Sequence, residues 1–508
     1  MMIFIIAPFR VLAAALTLCL LLPPAVVVLA TPTSSTLQAC SEIAALLPPK
    51  QVYHPQQDLI QYNQERQSYW STALRSVRPA CIVVPQSAEH VSAAVRVLGR
   101  FPGVDFAVRS GGHDPNVGHA TVDDGVLIAM TDMAGARYDA ASGLAYVKPG
   151  GEWNDVIGDL APSGVTVVGG RLGLVGVGGY LLQGGISFLS AQYGLAADSI
   201  VGWETVVANG SIINIDAAQH PDIAVAMRGS GSQFGIVTEF KVRPHPIGKV
   251  WGGVRVYSAA MDDDLYAALH GFVSAGAADP KAAVIHSTII APAGVEVHFI
   301  FYFYDGPEPP SEGPFAEYLK IPALLDATWT RTYADLLKSN GESARLLNAR
   351  VSFRTYTIPF IPSNPSIYTA IRDKYTELAS PLRASAQFSV DFQPLPSIVG
   401  ASSDAAGGNA MGLRGSDPDR LILEFQGSWT TSLDDAKGYA VSRAMTEWLD
   451  EMVPVWLAEE RYLPLFMNDA AGDQNVTGSY RDYARFSELQ RGMDPRGMFA
   501  RRLGGFKY

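Results

Sequence analysis

A turn that joins two glycines to a histidine is the feature of this sequence best suited to chemistry. The segment Arg109-Ser110-Gly111-Gly112-His113 follows an apolar run at 105–109, which predicts a buried strand ending in a turn. Two adjacent glycines leave no Cβ atoms where the backbone would lie against a ligand. His113 then places an imidazole, which is a nucleophile or a ligand, on that turn. Taken alone, the same pattern is also typical of an ordinary loop.

Two further segments, residues 169–185 and 228–236, are also rich in glycine. Glycines allow main-chain N–H groups to converge on phosphate oxygens, and helix N-termini add positive potential there. Tight turns alone would explain one such segment but not three, so we predict a ligand that lies along exposed backbone. The residues of these two segments predicted to contact it are Val175, Gly176, Gly178, Gly179, Gly185, Gly235 and Ile236.

One of these segments, Gly176-Val177-Gly178-Gly179, superficially resembles the phosphate-binding fingerprint of nicotinamide dinucleotide enzymes. The spacing of its glycines differs from that fingerprint, and no acidic residue follows on the next strand at the expected distance. We therefore exclude a nicotinamide cofactor.

The bulk composition is that of a globular protein with a large core. The chain has 508 residues, of which 48% are hydrophobic and 17% charged, and its formal net charge is −11. This length suits two domains, or one large domain with an inserted second. The acidic balance and the lack of a basic cluster argue against nucleic acid as a partner.

The first 30 residues are predicted to be a secretory signal peptide. Arg10 precedes an apolar run at 11–22, Pro23-Pro24 ends it, and Val28-Leu29-Ala30 forms a small-residue cleavage pattern. The alternative is an uncleaved membrane anchor, which the two prolines and the short apolar core disfavour. We expect a secreted or secretory-lumen protein with no stable membrane insertion.

Cysteine usage agrees with an oxidising compartment. Beyond the signal peptide only Cys40 and Cys81 remain, and we predict that they pair. Neither has a histidine or second cysteine at a zinc spacing, so no metal site is expected. Asn209 and Asn475 have the form of glycosylation acceptors, but Asn209-Gly210 also predicts a hairpin turn, which makes Asn475 the better glycan candidate.

The elements around the Gly-Gly-His turn predict a βαβ unit. A strand at 80–84 is followed by a helix with Ser87 as its N-cap and with Val91, Ala94, Val95 and Leu98 at helical spacing. The next strand, 105–109, leads into the turn. Further strands are predicted at 125–130, 144–148, 165–168 and 236–242, with a helix at 152–160.

From residue 250 the sequence becomes rich in long strands without regular crossover helices. This pattern of strands predicts a largely antiparallel sheet with helices on one face, and therefore an α+β protein with two lobes. Residues 400–415, rich in Gly, Ser and Ala, are predicted to be a mobile loop. The predicted strands are 250–257, 283–290, 295–304, 351–358, 386–392 and 421–431, and the main helices are 265–275 and 436–452.

The motifs occur in an order that resembles a known family. They run from 109–113 through 175–179, Gly184-Gly185 and 193–198 to 228–238. This order is similar to the FAD-binding domain of the vanillyl-alcohol oxidase and p-cresol methylhydroxylase superfamily, and within it to the fungal, secreted branch of the berberine-bridge-enzyme-like proteins. The resemblance covers 40–246 and 463–508.

The resemblance implies a cofactor and a domain plan. FAD would be bound by the glycine-rich segments and linked to His113 through its 8α-methyl group, and Cys40–Cys81 would be the N-terminal disulfide of the family. The FAD-binding domain would occupy 40–246 and the substrate domain 247–455. Residues 456–508 would return to the FAD-binding domain.

Departures from the family pattern sharpen these expectations. Many relatives carry a cysteine that forms a second flavin bond where this chain has Leu172, so a single bond through His113 is expected. Two-point attachment goes with oxidation of oligosaccharides, a substrate class that Leu172 therefore disfavours. Val175 resembles the position that gates oxygen, and a small β-branched residue there favours an oxidase over a dehydrogenase.

The catalytic base is the least constrained part of the resemblance. The family commonly places a tyrosine after an asparagine that faces the flavin, whereas this chain has Asn468-Asp469. Asp469 would serve as general base if burial raised its pKa, or it would simply cap a turn. Tyr356, His286 and His298 are further candidates on predicted strands. We also expect His119 in the loop near the cofactor, and we predict a structural role for it.

The reaction implied is a two-electron oxidation of a small organic substrate. Hydride would pass to flavin N5, and molecular oxygen would reoxidise the flavin to give hydrogen peroxide. Resemblance to secreted fungal relatives favours tailoring of a secondary metabolite. The alternatives are a carbohydrate oxidase, a flavin-dependent cyclisation or isomerisation without net oxidation, and a redox-silent binding protein.

Overall fold

The predicted strand–helix–strand unit forms the first sheet. The computed structural model describes residues 33–508 apart from 276, 277, 346 and 458, so the predicted leader at 1–30 lies outside the described residues. The strands of this sheet are β1 (Val52–Tyr53), β2 (Cys81–Val83), β3 (Phe106–Arg109) and β4 (Val126–Ala129). Their order is β1-β2-β4-β3, and β4 is parallel to both β2 and β3.

The helix between β2 and β3 begins where the sequence predicts. The helices of this region are α1 (Ser34–Leu46), α2 (Leu59–Gln67) and α3 (Ala88–Arg100). At the start of α3, the Ser87 hydroxyl accepts a hydrogen bond from the His90 N–H at 3.4 Å, which confirms the predicted N-cap. The predicted apolar stripe is fully buried, at Val91, Ala94, Val95 and Leu98.

A second sheet is antiparallel and follows the turn. It contains β5 (Ala136–Asp139), β6 (Leu144–Val147), β8 (Ile200–Val206), β9 (Ile212–Asp216) and β10 (Ile236–Val242), in the order β5-β6-β10-β8-β9. A separate pair joins β7 (Val165–Thr166) to β11 (His245–Pro246). The helices here are α4 (Trp153–Leu160), α5 (Val177–Leu182), α6 (Ser190–Tyr193) and α7 (Pro221–Met227).

The hairpin predicted at Asn209-Gly210 joins β8 to β9. Gly210 has φ +80°, a conformation that glycine adopts without a steric penalty. Asn209 and Asn475 are both exposed.

The third sheet confirms the predicted antiparallel architecture. Its strands are β12 (Lys249–Ser258), β13 (Ala282–Ile290), β14 (Glu296–Tyr304), β15 (Leu325–Thr332), β16 (Arg350–Ser352), β17 (Thr355–Pro359), β18 (Ala386–Leu395) and β19 (Arg420–Trp429). The order is β15-β12-β14-β13-β18-β19-β16, with β17 also paired to β19. The edge strand β15 was not predicted, because its mostly exposed residues lack a clean alternation. The predicted strand 351–358 is interrupted without a change of register, since Ser352 faces Gly427 and Thr355 faces Glu424.

Helices cover one face of this large sheet. They include α8 (Asp262–Ala275), α9 (Ala316–Lys320), α11 (Ile367–Ala379) and α13 (Asp435–Trp456). Two other helices, α10 (Tyr333–Arg345) and α12 (Ser397–Ala405), instead share the buried cluster of the first lobe through Tyr333, Leu337 and Val399. Leu269 of α8, Tyr375 of α11 and Leu449 of α13 share one buried cluster with sheet residues such as Phe392. Side chains on the opposite face, such as Ile285 and Phe301, line a cavity, and α10 packs beside it where Tyr333 contacts Phe303. None of the described helices has the length and apolar character needed to cross a membrane.

The prediction of a mobile loop at 400–415 is wrong. The helix α12 occupies its first part, and Asn409 donates a hydrogen bond to Asp198 Oδ1 at 2.9 Å. The Ala410 N–H donates to the Arg228 carbonyl at 2.9 Å, and Met411 is buried. These long-range contacts fix a segment whose composition alone is typical of a loop.

The C-terminal segment lies against the first sheet. It contains α14 (Tyr483–Met493) and α15 (Met498–Arg502), after which Leu503 forms a parallel bridge with Phe106. The Phe499 ring packs edge-on to Phe106 with centroids 6.1 Å apart, and Arg502 Nε donates to the Val104 carbonyl at 2.9 Å. The end of the chain thus supports β3, the strand that leads into the Gly-Gly-His turn.

The predicted disulfide joins Cys40 of α1 to Cys81 of β2, and both residues are buried. The two cysteines are 41 positions apart, so loss of the cross-link in a C40S/C81S double variant is expected to lower the free energy of unfolding by roughly 4 kcal/mol. Thermal unfolding of this variant and the parent measures the change, with Ser41→Ala at an exposed neighbouring position as the control. Identical melting of the double variant and the parent would contradict this expectation.

Candidate functional site

One cavity of about 470 Å³ lies between the glycine-rich segments of the first lobe and the face of the large sheet opposite α8, α11 and α13. Most of the predicted cofactor-binding residues line it, namely Ser110, Gly111, Gly112, His113, Val175, Gly176, Gly178, Gly179, Gly235 and Ile236. Asn468 and Asp469 line it too. Arg109 and Gly185 are not among its lining residues. The three glycine-rich segments, far apart in sequence, therefore meet at one wall.

The first two glycine segments touch backbone to backbone. A Cβ atom at Gly111 would lie 2.5 Å from Gly176 Cα, and a Cβ at Gly176 would lie 2.4 Å from the Gly111 nitrogen. The Ser110 hydroxyl links the same segments, since it donates to the Pro149 carbonyl at 2.5 Å and accepts from the Gly178 N–H at 3.0 Å. Glycine is thus required here by close approach of the two chains.

Arg109 supports the turn from beneath the cavity wall. Its side chain is almost fully buried and forms an ion pair with Glu65, while Nη2 donates to Thr131 Oγ1 at 2.9 Å. The guanidinium carbon also lies 5.3 Å from the centre of the Tyr69 ring. Arg109 therefore holds the end of β3 in place.

His113 presents an uncharged imidazole to the cavity. Its ring stacks on Trp70, with centroids 4.4 Å apart and planes inclined by 17°. Desolvation lowers the pKa of His113 to about 4, against an opposing effect of Asp114, so the ring is neutral near pH 7. Nδ1 is buried, and no residue in the described part of the chain forms a hydrogen bond with it. A buried nitrogen without a partner, beside a glycine cradle, fits the attachment of a cofactor.

The neighbouring positions of the second segment are apolar. Leu172 and Val175 both line the cavity, and the Val175 N–H donates to the Leu172 carbonyl at 3.2 Å. Leu172 has no nucleophilic atom, so it offers no second attachment point. Tyr180 is buried, and its hydroxyl lies 2.9 Å from the Gly169 carbonyl oxygen and 2.8 Å from that of Ile186.

Asn468 orders the turn that follows α5. Its Oδ1 accepts a hydrogen bond from the Gly185 N–H at 3.0 Å, and its Nδ2 donates to the Tyr180 carbonyl at 3.3 Å. Gly185 has φ +72°, and a Cβ there would lie 2.4 Å from the Tyr180 ring. Asn468 and Gly185 thus act together to shape this part of the wall.

Asp469 is a buried carboxylate at the junction of the two lobes. Its Oδ2 accepts a hydrogen bond from Gln393 Nε2 at 2.8 Å. Burial raises the pKa of Asp469, while the positive charge of Arg171 and the Gln393 bond act in the opposite direction. Arg171 itself donates to Gln393 Oε1. Asp469 therefore belongs to a polar cluster rather than standing alone.

The cluster contains two carboxyl groups that sequence reasoning missed. Asp391 of β18 and Glu424 of β19 line the cavity and face each other directly across the two strands. Burial raises the pKa of Asp391 to about 7 and holds the pKa of Glu424 well above its ordinary value, and the Asp469 charge adds to both shifts. A signal was present in the sequence, because Ser389, Asp391 and Gln393 alternate with apolar residues along one strand.

Three other candidates lie outside the cavity. The Tyr356 hydroxyl donates to Asp450 Oδ1 of α13 at 2.8 Å, and Tyr356 is not among the lining residues. His286 and His298 are fully buried on the helix-covered face, where His286 Nε2 lies 2.9 Å from His298 Nδ1. The geometry gives none of these three contact with the cavity, because alternate residues of a strand point to opposite faces of its sheet.

His119 does line the cavity. Its Nδ1 lies 2.9 Å from Asp114 Oδ2, and its ring packs edge-on to Phe506 with centroids 4.9 Å apart. These contacts are those of a residue that holds the loop after the turn.

Comparison with known proteins adds the following similarities. A family model described as an FAD binding domain matches residues 79–216. The chain is 34% identical over 460 residues to an uncharacterized FAD-linked oxidoreductase of Arthroderma benhamiae. The matched region covers 88% of this chain and 90% of that relative. It is 30% identical to an FAD-dependent monooxygenase of Aspergillus calidoustus, and the matched region covers 88% of this chain and 86% of that relative. Berberine bridge enzyme from Eschscholzia californica shares the fold, with a TM-score of 0.73 and 17% identity, over 93% of this chain and 99% of the enzyme.

Proposed function

The chain belongs to the FAD-linked oxidoreductases, and we propose that it oxidises a small organic molecule by two electrons with FAD attached covalently through His113 alone. One observation carries this proposal: the neutral His113 imidazole on the glycine turn of the cavity, whose buried Nδ1 has no hydrogen-bond partner among the described residues. Leu172 supports attachment at a single point, because it cannot form a bond to the cofactor.

The chain's own residues would hold and orient the cofactor. The close backbone contact of Gly111 with Gly176 joins two glycine segments into one wall, against which a flat ligand would lie, and Gly235 and Ile236 line the same cavity. When bound, FAD supplies a two-electron acceptor that takes hydride at its N5. Trp70 fixes the plane of the His113 ring by stacking, so the imidazole is oriented before any ligand arrives.

Asp469 is the proposed general base, and it would remove a proton from the substrate. An Asp469→Asn variant is expected to lower kcat roughly 100- to 10,000-fold, the range typical for loss of a positioned base. A base works in its deprotonated form, so the rate falls as pH drops through its pKa. Because burial raises the pKa of Asp469, the acid limb is expected at a higher pH than an ordinary aspartate would give.

Steady-state kinetics across pH measure both effects. Asp335→Asn, an exposed position, is the matched control and should keep the parental profile. A fully active Asp469→Asn variant with an unchanged acid limb would remove Asp469 from this role and leave it as a buried partner of Gln393.

Molecular oxygen is the proposed electron acceptor, supported by the small β-branched side chain of Val175 at the cavity wall. The name of the Aspergillus relative makes monooxygenation the second candidate. An oxidase releases one hydrogen peroxide for each oxygen consumed, whereas a monooxygenase transfers one oxygen atom to the product. Oxygen uptake, peroxide yield and ¹⁸O₂ labelling of the product separate the two.

The proposed substrate class is a secondary metabolite, supported by the similarity to fungal FAD-linked enzymes. Peroxide release on addition of mono- and oligosaccharides would instead favour a carbohydrate oxidase. Turnover that continues without oxygen or another acceptor would identify cyclisation or isomerisation. We propose a secreted or secretory-lumen location with a glycan at Asn475, and recovery of glycosylated protein from culture medium tests both.

A further inference from the structure

Two neighbouring strands of the large sheet part before either of them ends. The ladder between β13 and β18 stops at the pair His286 and Phe392, although both strands run on beyond it. At the same register Val284 would face Pro394, and proline has no N–H group with which to extend the ladder. A gap therefore opens inside the sheet at this end of β13.

A second, smaller cavity of about 40 Å³ lies at this gap. Val284 of β13 and Pro394 of β18 both line it, and Val273 of α8 and Val399 of α12 contribute to its wall. The cavity thus lies where the two strands separate, and it follows from the end of their ladder.

The smaller cavity adjoins the main one. Arg171 and Ile186 line both of them. Arg171 donates a hydrogen bond to Gln393 Oε1, and Ile186 is buried. The two spaces therefore meet at these two side chains, and rotation of the long Arg171 side chain about its own bonds would join them.

The wall of the smaller cavity is mostly apolar. Its serine side chains already have partners, because Ser190 Oγ accepts a hydrogen bond from the Ser187 N–H at 2.9 Å and Ser187 Oγ accepts one from the Leu189 N–H at 3.3 Å. Buried water typically needs two to four polar partners, so this lining favours an apolar guest. The buried apolar residues of the wall include Phe188, Phe272, Val273, Val284 and Val399.

The size of the smaller cavity restricts that guest. A cavity of about 150 Å³ is known to hold benzene, so a space of 40 Å³ is too small for a ring. A molecule of liquid water takes up about 30 Å³, and a diatomic gas needs a similar space. Molecular oxygen is uncharged and apolar, and it partitions from water into apolar surroundings.

We propose that the smaller cavity is a holding site for molecular oxygen, which passes Arg171 and Ile186 to reach the reduced cofactor in the main cavity. This inference rests on the proposed function, in which oxygen is the electron acceptor. Each oxygen molecule would take two electrons from the cofactor, take up two protons and leave as hydrogen peroxide. An apolar space beside the main cavity would raise the local concentration of oxygen there.

Xenon tests occupancy of the cavity without any turnover. Crystals of the holoenzyme are pressurised with xenon, an apolar atom that binds in dry cavities. We expect a xenon peak between Val273, Val284 and Pro394 in the parent protein and none there in Val273→Phe, whose ring fills the space. A parent crystal without xenon at this position would overturn the proposal without relying on any variant.

Reoxidation kinetics test whether oxygen uses the cavity. The bound flavin is reduced photochemically, so no substrate is needed, and is then mixed with oxygen in a stopped-flow instrument. Val273→Phe is expected to lower the second-order rate constant at least tenfold and to leave reoxidation by ferricyanide, a large charged acceptor, within twofold of the parent. Val399→Phe fills the same space from α12 and should give the same result.

Val455→Phe makes the same substitution at an exposed position of α13 and is the matched control, expected to reoxidise at the parental rate. Parental rates with oxygen in both filled variants would overturn the holding site and leave the proposed function standing. Equal slowing with oxygen and with ferricyanide would also overturn it. A parent flavin that reacts with oxygen no faster than free reduced FAD rejects oxygen as the acceptor, and this inference falls with it.

Discussion

A His113→Ala variant is expected to lose its covalent flavin completely. In the parent protein the yellow colour should stay with the polypeptide after acid precipitation, because Nδ1 of His113 is the proposed attachment atom. In the variant any FAD that remains bound should be released into the supernatant, since the glycine segments that would hold it are unchanged. Absorbance of pellet and supernatant measures the partition.

The control for this variant lies a few residues away in the same cavity. His119→Ala removes an imidazole that also lines the cavity but that bonds to Asp114. It should leave the colour in the precipitate. Retention of colour by His113→Ala, or its loss in His119→Ala alone, would assign the attachment elsewhere.

A Gly176→Ala variant is expected to be strongly destabilised, by about 3 kcal/mol or more. The added Cβ would lie 2.4 Å from the Gly111 nitrogen and 2.6 Å from Gly111 Cα, and both are backbone atoms that cannot move aside as a side chain would. The two glycine segments would be forced apart, which would also disturb the Ser110 bonds to Pro149 and Gly178. Soluble yield and the midpoint of thermal unfolding report the change.

Gly158→Ala provides the matched comparison. Gly158 lies inside α4, and a Cβ there has no heavy atom within 4 Å in the described structure. Alanine is the better helix former, so this variant should be as stable as the parent or up to about 1 kcal/mol more stable. Equal behaviour of the two variants would show that the Gly111–Gly176 contact does not limit stability.

Local signals in the sequence predict the first lobe well. The apolar stripe and Ser87 cap of α3, the Asn209-Gly210 turn and the strand 236–242 each depend on a few neighbouring residues, and the structure confirms them. The Cys40–Cys81 disulfide is confirmed as well. In each case the physical cause acts within a short stretch of chain or between two residues of unmistakable type.

The acidic side of the site escaped prediction for a different reason. Asp391 and Glu424 are 33 positions apart, and only the register of β18 and β19 places them opposite each other. Dependence on long-range packing also explains why Tyr356 was a wrong candidate for the cavity. Its strand was predicted, but its side chain bonds to Asp450 outside the cavity. Strand patterns reveal which residues share a face, but the face that meets the cavity is decided by the packing of α8, α11 and α13 on the other.

Mass spectrometry of the proteolysed protein tests the central claim most directly. Trypsin would release residues 110–137 as one peptide, which contains both His113 and His119, and residues 172–228 as another, which begins at Leu172. The account predicts that the first peptide carries one FAD, that fragmentation places it on His113, and that the second peptide carries no flavin. An unmodified first peptide, or FAD located at any other residue, would contradict it.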